Sequence, residues 1–197
     1  MPPIDDFLRD LDRGWDGAPG ERLTLHVIGS TALMLQVDYE RGTKDSDILT
    51  TDRVDANVRQ RLLALAGPGT LLHTRHRLYL DVVANGVPFL PHVSRWHPQR
   101  ELDAGLRNLE ILALDVVDVV VSKLKPFRPQ DRDDIAAMVD RGLVPHAALL
   151  ARFRAAADRF MYDARANDLV HYVANLHRVE RDLLGVAESE IELPSWI

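Results

Sequence analysis

The sequence contains no cysteine, which excludes disulfide staples, thiolate zinc centres and cysteine nucleophiles, and agrees with a reducing compartment. It has no internal repeat and no low-complexity tract, so a fibrous or solenoid protein is excluded. No stretch approaches the roughly 18 consecutive apolar residues of a membrane helix. The opening segment carries acids such as Asp5 and Asp6 where a secretory signal carries basic residues. The expectation is a cytoplasmic protein with no membrane partner. Positive charge is also scarce: 24 Lys and Arg face 30 Asp and Glu, for a formal charge of -6. Non-specific nucleic-acid binding driven by overall charge is therefore not expected, although a local basic cleft is compatible with this balance. What is present, 46% hydrophobic and 27% charged residues in a chain of 197, suffices for one medium domain or a domain with a small helical partner.

Ile4 to Leu11 has the pattern of a short amphipathic helix, followed by a Gly/Pro turn region around 14–20. Leu23 to Ile28 alternates as a strand and stops at Gly29-Ser30; Thr31 to Val37 then reads as a helix capped by Ser30 or Thr31. Lys44 to Leu49 begins a second strand. A helix from Val54 to Ala66, capped by Thr51 or Asp52, is followed by a strand from Arg77 to Val83. Asn85-Gly86 signals a hairpin with a return strand from Val87 towards Val93, which would hold Asp81 rigidly. Leu109 to Leu114 is a strand, and Asp115 caps a valine-rich helix to about Lys125 that needs burial to offset its low propensity. Asp131 caps a helix to Asp140, and two longer helices, Pro145 to Tyr162 and Ala166 to Leu184, complete the order. This succession implies an α/β or α+β core, a mixed sheet flanked by helices, with a helical C-terminal extension. The expected division is 1–143 for the core and 144–197 for the extension.

Asp45 and Asp47 are one residue apart, so in a strand both carboxylates point to the same side while Ser46 and Ile48 face the other. Such a pair is poorly tolerated unless protonated, paired or metallated. Asp81 shares a strand face with Tyr79 and Val83, where an unpaired carboxylate is costly; Arg75 or Arg77 offers a cross-strand partner. Gly29-Ser30 is a strand-to-helix turn, at which glycine permits close backbone approach and a helix N-terminus presents N–H donors to phosphate. The same residues equally suit a plain turn and cap. The turn matches neither the dinucleotide nor the P-loop fingerprint.

Taken in order, Gly29-Ser30, the motif Arg41-x-Thr43-x-Asp45-x-Asp47, the strand acid Asp81, then Lys123 and Arg128-x-x-Asp131-x-x-Asp134 resemble the motifs of the DNA-polymerase-β-like nucleotidyltransferase superfamily. The similarity is nearest to the compact bacterial branch with abortive-infection toxins, and covers roughly 23–144. The resemblance implies a minimal nucleotidyltransferase fold in which Gly29 and Ser30 grip nucleotide phosphate and Asp45, Asp47 and Asp81 bind Mg2+, or Mn2+. It gives Lys123, with Arg128 beside it, the charge of the departing pyrophosphate. Asp131 and Asp134 match a late acidic motif, and equally suit a helix cap and first-turn charge. The substrate implied is an NTP, and the acceptor an RNA, a protein or a small molecule, with an antitoxin as partner.

Arg41 and Lys44 form a basic rim beside the acids, and Arg75-His76-Arg77, Arg95 and Arg100 offer a local phosphate-binding surface. No basic and aromatic interleaving accompanies them. His26 reads as a packed or paired histidine, and His73, His76, His92 and His97 follow no zinc spacing. A catalytically inactive binding module of the same fold is the alternative, with the apolar faces of the last two helices as its partner surface. A metal-dependent phosphohydrolase fits the turn and the separated third acid less well.

Overall fold

The computed structural model describes residues 3–17, 21–40, 42–161 and 164–193. Arg41, expected on the basic rim, and residue 162, the expected end of a helix, lie outside them. The chain divides into two compact units, Met1–Val87 with Trp96–Asp115 and Pro88–Arg95 with Val116–Ile197. Among the described residues no helix is long and apolar enough to cross a membrane.

The first unit contains α1 (Pro3–Gly14), β1 (Leu23–Val27), α2 (Gly29–Gln36), β2 (Asp45–Leu49), α3 (Ala56–Ala66), α4 (Leu71–His76), β3 (Tyr79–Val83), β4 (Trp96–Pro98), α5 (Arg100–Asp103) and β5 (Leu109–Leu114). The strands form one mixed sheet in the order β3-β2-β1-β5-β4. β1 runs antiparallel to β2 and parallel to β5, β2 parallel to β3, and β4 antiparallel to β5. Period-two alternation divides its faces. Leu25, Val27, Ser46, Ile48, Leu80, Val82, Leu109 and Ile111 are buried on one face, in a core that also takes Ile4, Phe7, Leu8 and Leu11 of α1. The opposite face carries Asp45, Asp47 and Asp81.

Several local expectations give way to tertiary demands. No return strand forms at 87–93: the chain turns at Asn85-Gly86 and next enters the sheet as β4, at the other edge. Pro88 and Pro91 cannot donate to a ladder, and Phe89 and Leu90 are buried in the second unit instead. Asp81 is therefore held by the parallel register with β2, not by a hairpin. The α3 cap is Asp55, whose carboxylate accepts from Val58 N at 2.8 Å, in place of Thr51 or Asp52. Neither Ser30 nor Thr31 caps α2, which begins at Gly29 with Ile28 in the N-cap position. The short helices α4 and α5 have no counterpart in the sequence reading.

A buried carboxylate ties α1 to the sheet. Asp12, 3% exposed, accepts from the backbone N–H groups of Arg107, Asn108 and Leu109 at 2.8–3.1 Å. These donors precede or begin β5, so one side chain satisfies the loop that delivers the strand.

The second unit holds α6 (Val116–Lys123), α7 (Pro129–Asp140), α8 (His146–Phe160) and α9 (Leu169–Val179). Val119, Val120 and Val121 are fully buried, which supplies the burial that the valine-rich helix requires. Phe89 packs against Phe153, Phe160 and Tyr172 at centroid separations of 5.3, 5.2 and 4.9 Å. Asp118, also sealed, accepts from Arg152 Nε at 2.5 Å and Nη2 at 2.6 Å, and from Arg95 N at 2.9 Å.

Two predictions follow from these anchors. Asp12→Ala leaves buried backbone donors unpaired and should cost about 3 kcal/mol or more of stability, read as a lower urea midpoint at unchanged slope. The Tyr172 phenol is pushed up to about 12 by burial and then by the charge of Asp168. A raised pKa favours the folded state below the ordinary value near 10 and withdraws that support as pH rises through the folded value. Stability should therefore fall between pH 10 and 12, and Tyr172→Phe should lessen the fall in a pH series of thermal melts.

Candidate active site on the open face of the sheet

The antiparallel pairing of β1 with β2 decides which groups meet. Ile28 N donates to Asp47 O at 2.9 Å, so the turn after β1 lies beside the acidic strand. At that turn Gly29 has φ +66, and a Cβ there would stand 3.1 Å from Asp47 Oδ2. Glycine is required twice over, for the left-handed backbone and for the approach of the carboxylate. Ser30 and Thr31 continue into the first turn of α2, whose N–H groups have no intrahelical partner. Thr31 Oγ1 also donates to Asp45 O at 3.3 Å, a second tie between α2 and β2.

The parallel pairing of β2 with β3 places Asp47 opposite Asp81 and Asp45 opposite Tyr79. By alternation all four side chains occupy one face, with Asp45 and Asp81 exposed and Asp47 and Tyr79 half-buried. Like charges in directly opposed positions repel, so the strand pair carries an electrostatic cost that a cation would relieve. The Tyr79 phenol records the same field: burial raises its pKa, and the charges of Asp45, Asp81 and Asp47 add to the rise. Its ring packs edge-on to His73 of α4 at 5.2 Å, and His73 Nδ1 accepts from Gly69 N at 2.9 Å.

Carboxylates of this kind suit a hard divalent cation. Asp45 Oδ1 accepts from Thr43 Oγ1 at 3.0 Å and Asp81 Oδ1 from Val82 N at 2.8 Å, and Asp47 is engaged as well. Among the described residues no three His, Cys, Asp or Glu side chains are gathered as a finished cation cage. Residue type and backbone register thus fit a metal, and the hydrogen bonds to Thr43 and Val82 N engage only one oxygen of Asp45 and of Asp81, leaving the other to a cation. In the sequence Thr43 stands only within the Arg41-to-Asp47 motif and Tyr79 only as a strand neighbour of Asp81; the cross-strand register that joins Tyr79 to Asp45 has no signal in one sequence.

Lys123 and Arg128 belong to the second unit. Lys123, 6% exposed, pairs with Asp134 Oδ2 at 2.7 Å and Asp131 Oδ1 at 3.1 Å, and Asp134 is fully buried. Arg128 occupies the N-cap position of α7 and donates its backbone N–H to Asp131 Oδ2 at 2.9 Å. Asp131 is thus the third residue of a helix that starts at Pro129, not its cap. In the first unit, Arg75 Nη1 and His76 Nε2 each lie 2.8 Å from Asp10 Oδ2. Arg13 foremost, then Arg75 and His76, hold the Asp10 carboxyl well below the usual carboxylate range. Two of the basic residues proposed for a phosphate surface therefore join α4 to α1. Burial pushes the His26 imidazole down, against a smaller upward pull from Glu110, and its ring meets Trp96 edge-on at 4.6 Å. His26 is packed, as its isolation in the sequence implied.

Gly29→Ala should destabilise by about 1–2 kcal/mol, the cost of a side chain in a left-handed conformation; Ala at Gly42, whose surroundings are open, is the control in the same denaturant titration.

No curated protein and no solved structure matches the chain. A family model does: residues 10–181 match the family described as a nucleotidyltransferase of unknown function, DUF6036. The match spans the acidic face of the sheet, the Gly29 turn and most of the helical unit, and by it the chain belongs to this nucleotidyltransferase family.

Proposed function

We propose that this chain is a metal-dependent nucleotidyltransferase, moving a nucleoside monophosphate from an NTP to a hydroxyl or phosphate acceptor. The observation that carries the reading is the register that sets Asp47 opposite Asp81, with Asp45 on the same face and Gly29 against the Asp47 carboxylate. Asp45, Asp47 and Asp81 would hold Mg2+ or Mn2+. Such an ion, when bound, supplies Lewis-acid polarisation of the phosphoryl group and acidifies an acceptor hydroxyl. The chain's own part is distinct. The left-handed turn at Gly29 and the first turn of α2 would bring backbone N–H groups to phosphate oxygens as nucleotide binds. Asp81, exposed and on the edge strand β3, would accept the acceptor's proton on the carboxylate oxygen that does not face Val82 N. Lys123 and Arg128 take a subordinate place in this proposal, because Lys123 already pairs with Asp131 and Asp134.

A second reading, a binding module without catalysis, draws on the local hydrogen bonds of Asp45 and Asp81. Metal and nucleotide distinguish the two. Under the catalytic reading Mg2+ with a nonhydrolysable NTP raises the melting temperature of the wild type, as any ligand of the native state does, and does so far less for Asp47→Asn. The module reading expects no such rise. The acceptor class is an outcome of the same programme: α-labelled NTPs are followed into RNA, protein and metabolite fractions. Placement in a toxin–antitoxin pair is part of the proposal, and predicts growth arrest on expression that Asp45→Ala relieves.

Asp47→Asn should lower label transfer by about 100-fold or more, the scale of losing a principal electrostatic contact to the reacting group. Asp81→Asn should stabilise the metal-free protein by about 0.5 kcal/mol through loss of the opposed charge, since the amide oxygen still accepts from Val82 N, while abolishing the Mg2+-dependent rise in melting temperature. A wild type that transfers no label, and whose melting ignores Mg2+ and NTP, would remove the catalytic reading.

A further inference from the structure

We infer that Tyr79 is a substrate-contacting residue of this site, its phenol hydroxyl donating a hydrogen bond to an anionic oxygen of the bound nucleotide's phosphate chain. The inference rests on the nucleotidyltransferase reading and deepens it. Asp45, Asp47 and Asp81 are acceptor-only groups when ionised, and so cannot themselves hydrogen-bond a phosphate oxygen. Tyr79 is the neutral donor that the β2–β3 register places among them, opposite Asp45 and two residues before Asp81 on the same face. Its hydroxyl makes no hydrogen bond among the described residues, and it is not one of the sealed polar atoms there without a partner, which are Arg9 Nε, His26 Nδ1 and Ser46 Oγ. A donor that is neither engaged nor closed off beside three carboxylates is disposed to meet an incoming acceptor.

The ring is also prevented from wandering. His73 packs against it edge-on, and the imidazole is itself fixed by the Gly69 N–H. The backbone of Tyr79 is pinned on the other side, its N–H donating to Lys44 O at 3.1 Å. The contact therefore needs little ordering of the side chain on binding, which is the condition under which one hydrogen bond yields measurable affinity. A structural role alone, filling space against His73, would be met equally by phenylalanine.

Tyr79→Phe removes the hydroxyl and keeps the ring. Titration calorimetry with Mg2+ and a nonhydrolysable NTP should show affinity about tenfold weaker than wild type, the scale of one hydrogen bond to a charged partner. Mn2+ binding without nucleotide, followed by electron paramagnetic resonance, should stay within twofold, and the ligand-free melting temperature should be unchanged. Equal nucleotide affinity in variant and wild type overturns the inference while leaving the nucleotidyltransferase reading intact. Equal weakening of Mn2+ and nucleotide binding also overturns it, since Tyr79 would then act on the carboxylates. A wild type that binds no nucleotide overturns both. Should the variant fail to fold, wild-type crystals soaked with the same ligand decide: Tyr79 Oη within hydrogen-bond distance of a phosphate oxygen supports the contact, and Oη turned to solvent or to a carboxylate overturns it.

Discussion

The pairing of β2 with its two neighbours is the constraint on which the candidate site depends. β2 carries only five residues, yet each of its edges fixes a different part of the chemistry. Towards β1, the bond from Ile28 N to Asp47 O holds the glycine turn against a carboxylate. Towards β3, the parallel register sets Asp81 and Tyr79 across from Asp47 and Asp45. A slip of one residue in either pairing would send the acids to the apolar face. Ser46, Ile48, Leu80 and Val82, all buried, oppose that slip. The hydrophobic core beneath the sheet is therefore what keeps three like charges together above it.

Much of the remaining charge serves structure. Asp10, Asp12, Asp118 and Glu180 are buried carboxylates, each engaged by cations, backbone donors or both. Glu180 illustrates the balance: burial pushes its pKa up, but the hydrogen bonds from Ser189 and His146 outweigh it, and the carboxyl ends below its usual range. Lys123 with Asp131 and Asp134 repeats the arrangement in α6 and α7. Buried pairs of this kind contribute little net stability, but loss of one partner is expensive because the other charge is stranded. This separates them from the acids on the open face, where Asp45 and Asp81 remain in contact with solvent and are free of that penalty.

A good part of the fold was legible because it rests on local patterns. The strand at 23–27, the acidic strand at 45–49, the helix ending at Ala66 and the strand at 109–114 follow from alternation, amphipathic spacing and glycine stops. The motif residues were legible for the same reason, since Asp45 and Asp47 must share a face in any strand. What failed depended on distant partners. Asn85-Gly86 is a sound hairpin signal by itself, but Phe89 and Leu90 are buried in the second unit and the prolines beside them cannot enter a ladder. Nor does anything near Arg75 and His76 announce their partner Asp10, some 65 positions earlier.

By itself the sequence determined that this chain forms a mixed α/β protein with a helical end, that Gly29-Ser30 closes a strand, and that Asp45 and Asp47 lie on one side of another. Those properties follow from side-chain period, turn chemistry and the distribution of apolar residues, each readable within a few positions. Only the tertiary structure decided that Asp81 and Tyr79 stand across from that pair, that Gly29 meets the Asp47 carboxylate, and that Lys123 is held by Asp131 and Asp134. Strand register and sheet order are set by which apolar surfaces bury each other across the chain, and no local pattern carries that information.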